Sequence, residues 1–175
     1  IFDNLSAALK ISSCGSDALA QAKTVYVLGD SHGYQYADWI AEEAMKSKIN
    51  YKVIWGNSCL FPAAIIHLGG RKCFDRQASI QQKLIKVVKK GDIVIVANAL
   101  YGHFYPKDGY LSPYSKSISR EDALDEYSQA FISFSSTINA LGAKVVFYTD
   151  GVRFPEVPDG ALCQKEWFRP TLSET

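Results

Sequence analysis

The segment Val25-Tyr-Val-Leu-Gly-Asp-Ser-His32 places the strongest constraint on how this chain can fold. An apolar run over residues 25–28 ends abruptly in Gly29-Asp30-Ser31-His32, and an amphipathic segment over residues 34–48 follows at once. This pattern predicts a buried strand, a sharp turn and a helix, with Ser31 at the carboxyl end of the strand. Open α/β sheets bind ligands at such strand ends. Ser31 is therefore a candidate nucleophile, although Ser and Asp also commonly cap helices at this position.

Further apolar runs alternate with helical patterns along the rest of the chain. We predict strands at 51–55, 93–97 and 144–148, and helices at 75–90 and 121–141. The order β-α-β-α-β-α-β predicts a parallel sheet of flavodoxin-like order with helices on both faces, which is a three-layer α/β/α sandwich. A fifth strand and a last helix are expected after residue 175, so we expect the fold to lack them here.

The chain divides into two unequal parts. Residues 1–23 have no strong periodicity and are interpreted as an N-terminal arm or linker, with a short helix as an alternative. Residues 24–175 form the α/β domain, in which we predict long loops at 59–74 and 99–119.

Composition excludes several classes of function. The formal net charge of the 175 residues is +1 and no basic run exceeds Lys89-Lys90, so we expect no nucleic-acid partner. The apolar runs are far shorter than the roughly 18 residues of a membrane-spanning helix, so we expect no membrane insertion by this chain. No Cys or His has the spacing of zinc ligands, and we predict neither a metal nor a cofactor.

Serine acyl chemistry needs a nucleophile, a base and donors for the tetrahedral oxyanion. The donors should come from neighbouring strand ends, where Gly56 follows the second predicted strand and Asn98 the third. The backbone N–H groups of Ser31 and Gly56 and the side-chain amide of Asn98 are therefore the predicted oxyanion donors. A turn glycine and a loop-capping asparagine are the alternatives.

No histidine is an obvious base for Ser31. His32 is expected to pack or bond locally, and His67 to be a surface or packing residue. His103 follows the third strand, on the correct edge of the sheet, and is interpreted as substrate-contacting or packed rather than catalytic. Asp30, His32, His103 and Tyr101 are the residues predicted to line the site. The aromatic residues of loop 101–114 are expected either to contact a ligand or to pack internally.

Cys59 and Cys73 flank the first long loop, so either a disulfide or two unrelated buried thiols fits the sequence. Cys163 pairs with Cys14 or with a cysteine outside this chain. These alternatives are open on the residues alone.

Two motifs carry a family resemblance. Gly29-Asp30-Ser31-His32 resembles the first block of the SGNH (GDSL-like) hydrolases and acyltransferases. The later segment Phe154-Pro-Glu-Val-Pro158, Cys163 and Trp167-Phe-Arg-Pro170 resembles the region after the fourth strand in SGNH domains fused to membrane acyltransferase-3 domains. The combined pattern covers residues 24–170. It departs from the family in lacking an intact Gly-x-Asn-Asp around Asn98 and any Asp-x-x-His, so the catalytic Asp and His are expected beyond residue 175.

The resemblance implies a serine O-acyltransferase domain on the extracytoplasmic side of a membrane, tethered through a region outside this chain. Ser31 would carry an acyl group, usually acetyl, from a fused membrane acyltransferase domain to a cell-surface glycan. Such domains also commonly carry cysteines like Cys59 and Cys73, which favours the disulfide. A carbohydrate esterase of the same fold and an inactive glycan-binding module are the alternatives.

Overall fold

The computed structural model describes residues 12–16, 22–67, 70–104 and 109–148. The elements are, in chain order, β1 (Ser12–Ser16), β2 (Thr24–Gly29), α1 (Ser31–Gln35), α2 (Ala37–Ser47), β3 (Asn50–Trp55), α3 (Gly70–Val87), β4 (Ile93–Ala97), α4 (Leu100–Phe104), β5 (Tyr110–Leu111), β6 (Ser117–Ile118), α5 (Arg120–Ala140) and β7 (Lys144–Tyr148).

The main sheet has the order β1-β3-β2-β4-β7. Strands β3, β2, β4 and β7 are parallel, and β2 lies between β3 and β4, with Val25 opposite both Tyr51 and Ile93. The predicted flavodoxin-like parallel sheet is confirmed. Because β2 is central, its carboxyl end is flanked by the ends of β3 and β4.

Helices cover both faces of this sheet. On one face, α3 and α5 pack against β2, β3 and β4 through a core that includes Leu28, Ile54, Leu84, Val94 and Phe134. On the other face, Ala37 and Ile40 of α2 pack on Val25, Val27 and Val53. The alternation of side chains along a strand sends successive residues of β2 into opposite layers. The fold is therefore the predicted α/β/α sandwich.

Strand β1 is an element that the sequence did not predict. It pairs antiparallel with β3, with Cys14 opposite Val53, although it lies within the predicted arm of residues 1–23. Its sequence, Ser-Ser-Cys-Gly-Ser, has none of the β-branched or aromatic residues that mark strands. This strand is therefore identified by its backbone pairing with the edge of β3, and its sequence pattern does not predict it. The domain boundary at residue 24 stays a prediction.

The other differences concern helix ends and loops. The predicted helix at 34–48 is two helices, α1 and α2, which meet at Tyr36. Helix α3 begins at Gly70, inside the predicted loop 59–74. The predicted loop 99–119 contains α4 and the two-stranded sheet of β5 and β6. None of the helices within the described ranges is long and apolar enough to cross a membrane.

A disulfide joins Cys59 and Cys73, whose Cα atoms are 5.2 Å apart. It links the turn after β3 to the first part of α3, as the family resemblance implied. Gln77, one helical turn further on, donates from Nε2 to the carbonyl of Cys59 at 2.8 Å. The turn at 56–59 is therefore fixed to α3 at two points. Cys163 and the motif residues after 148 lie outside the described residues, so the pairing of Cys14 stays a prediction.

Candidate active site

The turn after β2 depends on the glycine at position 29. Gly29 has a φ of 153°, and a Cβ atom added there would lie 1.7 Å from the carbonyl oxygen of Ala97. A side chain would therefore collide with the end of β4. This close approach brings the residues that follow Gly29 and Ala97 next to each other, at the carboxyl edge of the sheet.

Asp30 connects these two strand ends. Its side chain is 1% exposed. Oδ1 accepts from the backbone N–H of His32 at 2.7 Å, which caps α1, and Oδ2 accepts from the backbone N–H of Ala99 at 2.7 Å. Nε2 of His103 lies 3.0 Å from the same Oδ2. Asp30 therefore ties the start of α1 to the β4–α4 connection.

The protonation of this pair follows from its contacts. Burial raises the pKa of the Asp30 carboxyl, but the hydrogen bonds from His103, His32 and Ala99 outweigh burial, so that the net pKa is lowered. Asp30 is thus an anion, which can only accept hydrogen bonds, and Nε2 of His103 is the protonated ring nitrogen. His103 is 3% exposed and is directed at Asp30. Its other ring nitrogen, Nδ1, is buried and has no hydrogen-bond partner among the described residues.

Ser31 is the first residue of α1 and is exposed, next to the buried Asp30. The strand-turn-helix pattern thus places it at the carboxyl end of β2, as predicted. Gly56 follows β3 and Asn98 follows β4, so the structure brings all three residues to the same edge of the sheet. Whether Gly56 and Asn98 can bind an oxyanion depends on whether their N–H groups already donate hydrogen bonds within the protein.

The side chain of Asn98 is occupied within the protein. Its Nδ2 donates to the carbonyl of Phe61 at 2.6 Å and to the hydroxyl of Tyr127 at 3.0 Å, and its Oδ1 accepts from the Phe61 N–H at 3.2 Å. The Tyr127 hydroxyl in turn donates to the Phe61 carbonyl at 3.2 Å, and burial raises its pKa. Both amide protons of Asn98 are therefore used. In this arrangement the predicted oxyanion donor is a structural link, and donation to a ligand would require breaking these bonds.

Gly56 is also engaged. Its backbone N–H donates to the carbonyl of Gly29 at 3.2 Å, extending the pairing of β2 and β3. A Cβ atom at Gly56 would lie 1.2 Å from Nη2 of Arg76. The glycine is needed to accommodate the Arg76 guanidinium, a role that the sequence did not indicate. Its N–H, like the Asn98 amide, has an internal partner where a free oxyanion donor was predicted.

The other predicted site residues are spread around this edge. His32 contacts Asp30 through its backbone and through Nδ1, 3.5 Å from Oδ1. His67 is bonded to the carbonyl of Gly109 at 3.1 Å and stacks on Tyr110, which fits its predicted packing role. The described parts of the chain contain no group of three or more His, Cys, Asp or Glu side chains that could hold a metal ion.

The aromatic loop has two kinds of residue. Tyr110 is fully buried and packs on Phe104, whereas Tyr101 is 45% exposed. Tyr101 lines an apolar depression of about 320 Å³ beside α4 and the start of α5, together with Leu100, Phe104, Arg120 and Leu124. Of the two predicted uses of this loop, packing applies to Tyr110, and ligand contact by Tyr101 stays a prediction. Residues 105–108 lie outside the described residues.

Comparison with known protein families shows to which family the chain belongs. A family model described as the SGNH domain fused to AT3 domains matches residues 3–173. The chain belongs to this family. A search of curated proteins and a search of solved structures found no match. Membership of the SGNH family indicates a domain of the serine hydrolase and acyltransferase type, connected with a membrane acyltransferase domain. The assignment of Ser31 as the strand-end serine of the family's first block stays a prediction.

Two residues of this SGNH domain that matter to the site escaped sequence reasoning. Tyr127 lies in α5, on the buried face that it shares with Ala123, and Arg76 lies in α3. Their contacts with Asn98 and Gly56 join residues distant in sequence. No local signal marks such contacts.

Proposed function

We propose that this SGNH domain is the transfer unit of an O-acyltransferase, in which Ser31 carries an acyl group to a hydroxyl of a cell-surface polysaccharide. The single observation behind this proposal is an exposed Ser31 at the carboxyl edge of a parallel sheet, in a chain of the AT3-fused SGNH family. The acyl group is acetyl in the simplest case.

The reaction proceeds in two halves. The Ser31 hydroxyl attacks the carbonyl carbon of the acyl donor and loses its proton to a base, and the donor's leaving group departs with a proton. A sugar hydroxyl then attacks the acyl-Ser31 ester, its proton passes to the base, and Ser31 regains its own. No hydrogen bond among the described residues joins Ser31 to His103, whose Nε2 is directed at Asp30 and whose Nδ1 is buried. In this proposal the base is supplied from outside the described residues.

Asp30 positions Ser31 for this chemistry. Its bond from the His32 N–H caps the start of α1, and its bond from the Ala99 N–H ties the turn to the β4–α4 connection. A serine held in this way loses little conformational freedom when it reacts. Tyr101, exposed at the rim of the depression beside α4, offers an aromatic face on which a sugar ring can stack.

The proposal also includes a partner and a compartment. The fusion that defines the family supports delivery of the acyl group by a membrane acyltransferase-3 domain. The Cys59–Cys73 disulfide supports an oxidising, extracytoplasmic location, since disulfides persist outside the reducing cytosol.

The test measures where the acetyl group goes. The full-length protein is supplied with p-nitrophenyl acetate, with and without a surface oligosaccharide, and acetylated sugar and free acetate are both measured. We expect the oligosaccharide to capture acetyl at the expense of water, and Ser31→Ala to remove both products. Acetate alone, at a rate unchanged by the sugar, would instead identify an esterase. Oligosaccharide binding without turnover would identify a glycan-binding module.

A further inference from the structure

Arg76 is a half-buried cation without an anionic partner in the described structure. It makes one hydrogen bond, from Nη2 to the carbonyl of Trp55 at 3.2 Å, and its Nε is buried with no acceptor. By contrast Arg71, on the same helix, is exposed and paired with Asp75 at 3.0 Å. Burial lowers the pKa of Arg76. An unpaired guanidinium is costly to desolvate, and an anion that binds it relieves this cost.

Arg76 lies at the same edge of the sheet as Ser31. Its guanidinium occupies the space where Gly56 lacks a side chain, and Gly56 is bonded to Gly29, two residues before Ser31. The pairing of β2 with β3 puts the guanidinium one strand away from the nucleophile. Glycine is the only residue at 56 that leaves this space open.

Of the three predicted oxyanion donors at this edge, only the backbone N–H of Ser31 has no hydrogen-bond partner among the described residues. The Asn98 amide donates to Phe61 and Tyr127, and the Gly56 N–H donates to Gly29. The five N–H donors of a guanidinium exceed the one bond that Arg76 makes, and charged donors form stronger bonds to anionic oxygen than neutral ones do. Arg76 therefore adds charged donors with capacity to spare to the Ser31 N–H at this edge.

We propose that Arg76 is a catalytic residue that binds the negatively charged oxygen formed at the acyl carbonyl when Ser31 attacks. This inference rests on the proposed acyl transfer. As the Oγ–C bond forms, the carbonyl π electrons move to oxygen, and the oxyanion accepts a hydrogen bond from the guanidinium. When the leaving group departs with its electron pair, the carbonyl re-forms. Arg76 keeps all its protons throughout, and the proposal requires its side chain to turn so that an unused N–H group reaches the oxyanion.

The Arg76 guanidinium could bind a second kind of anion, which is the carboxylate of an acidic sugar in the acceptor. The two anions differ in the substrates they affect. Oxyanion binding acts on every acyl donor, including a neutral ester with no acidic sugar present, whereas carboxylate binding acts only on an acidic acceptor. A comparison of p-nitrophenyl acetate with glucuronate separates them.

The first measurement does not require turnover. Methylphosphonate, a tetrahedral anion, is titrated into the full-length protein while the Arg side-chain N–H signals are followed by NMR. We expect saturable shifts of the Arg76 signal, no shift of the Arg71 signal, and loss of binding in Arg76→Met. Ser31→Ala should still bind. Absence of a saturable shift at Arg76 overturns the proposal, even if Ser31 is the nucleophile.

The second measurement assigns the role. Arg76→Met should lower kcat on p-nitrophenyl acetate about 10²-fold with little change in KM, as loss of one oxyanion donor does. Arg76→Lys should recover part of the rate, and Arg71→Met should match the wild type. Unchanged kcat, with a raised KM for a glucuronate acceptor, would reassign Arg76 to acceptor binding and overturn the oxyanion role. An altered thermal midpoint alone, with neither kinetic change, would overturn any ligand role.

Discussion

The two sides of Ser31 differ in how far their polar groups are satisfied within the protein. On the β4 side, the carboxylate of Asp30 accepts from three donors, and the amide of Asn98 bridges Phe61 and Tyr127. On the β3 side, the guanidinium of Arg76 makes one bond and has a buried Nε without an acceptor.

This difference separates scaffold from ligand-binding groups. Buried polar groups are normally hydrogen-bonded, and a satisfied network rigidifies the elements that it joins. Arg76, a charged group beside the end of β3, instead has unused N–H donors that can bind a ligand. We therefore infer that the β4 side holds the nucleophile in place and that the β3 side receives the charge that develops during reaction.

The largest effect on stability is expected when the Asp30 carboxylate is removed from the β4 side. Asp30→Ala should lower the free energy of unfolding by about 3–5 kcal/mol, because it leaves His103 and two backbone N–H groups buried without their acceptor. Urea unfolding measures this change. The exposed Asp125→Ala variant on α5 is the control and should stay within about 0.5 kcal/mol. A comparably small loss for Asp30→Ala would remove the distinction between the two sides.

A smaller loss is expected at the amide bridge. Asn98→Ala should cost about 1–3 kcal/mol, because the Phe61 backbone groups and the Tyr127 hydroxyl lose a partner. Tyr127→Phe should cost about 1 kcal/mol, since the Phe61 carbonyl then keeps its bond from Asn98. Unfolding by denaturant gives both values. An Asn98→Ala variant as stable as the wild type would argue that this amide is free for a substrate.

The charge of Asp30 should appear as a dependence on pH. The folded state lowers the pKa of Asp30, so its ionised form stabilises the fold above the unfolded value of about 3.9. This contribution is lost as the pH falls through the folded pKa. The difference in unfolding midpoint between wild type and Asp30→Asn should thus be constant near neutral pH and shrink below about pH 4. A difference that grows on acidification has the opposite sign and would contradict a lowered pKa.

The smallest effect on stability is expected on the β3 side. Arg76→Met should change the free energy of unfolding by less than about 1 kcal/mol, because loss of one hydrogen bond is offset by removal of a half-buried unpaired charge. The neighbouring Gln77→Leu is the matched comparison. It should cost about 1–3 kcal/mol by leaving the buried Cys59 carbonyl without its donor. A larger loss for Arg76→Met than for Gln77→Leu would make Arg76 part of the scaffold.

Most of the sheet could be predicted from the sequence because its central strands bury both faces. The apolar runs at β2 and β4 are continuous, and those at β3 and β7 are short but still visible in the sequence. The edge strand β1 was missed since its sequence has none of the β-branched or aromatic residues typical of strands. Helix α4 was missed because five residues show too little periodicity.

The sequence predicts where the site residues lie in the sheet, but it does not predict which side chains they contact. Ser31, Gly56 and Asn98 could be placed at one edge, since each follows an apolar run in a parallel sheet. Which of their donors are free depends on Phe61, Arg76 and Tyr127, which approach them from distant parts of the chain. Periodicity and motif spacing carry no information about such approaches. The base for Ser31 stays a prediction for the same reason.

The most direct test of the central claim is to find the covalent intermediate on Ser31. The full-length protein is treated with an organophosphonate and, separately, with p-nitrophenyl acetate, and the modified residue is located by peptide mass spectrometry. We predict modification of Ser31, loss of modification in Ser31→Ala, and full retention in Ser58→Gly, which removes an exposed hydroxyl beside the neighbouring strand end. Modification that persists in Ser31→Ala, or an unmodified Ser31 in the native protein, would contradict a role for this serine as the acyl carrier.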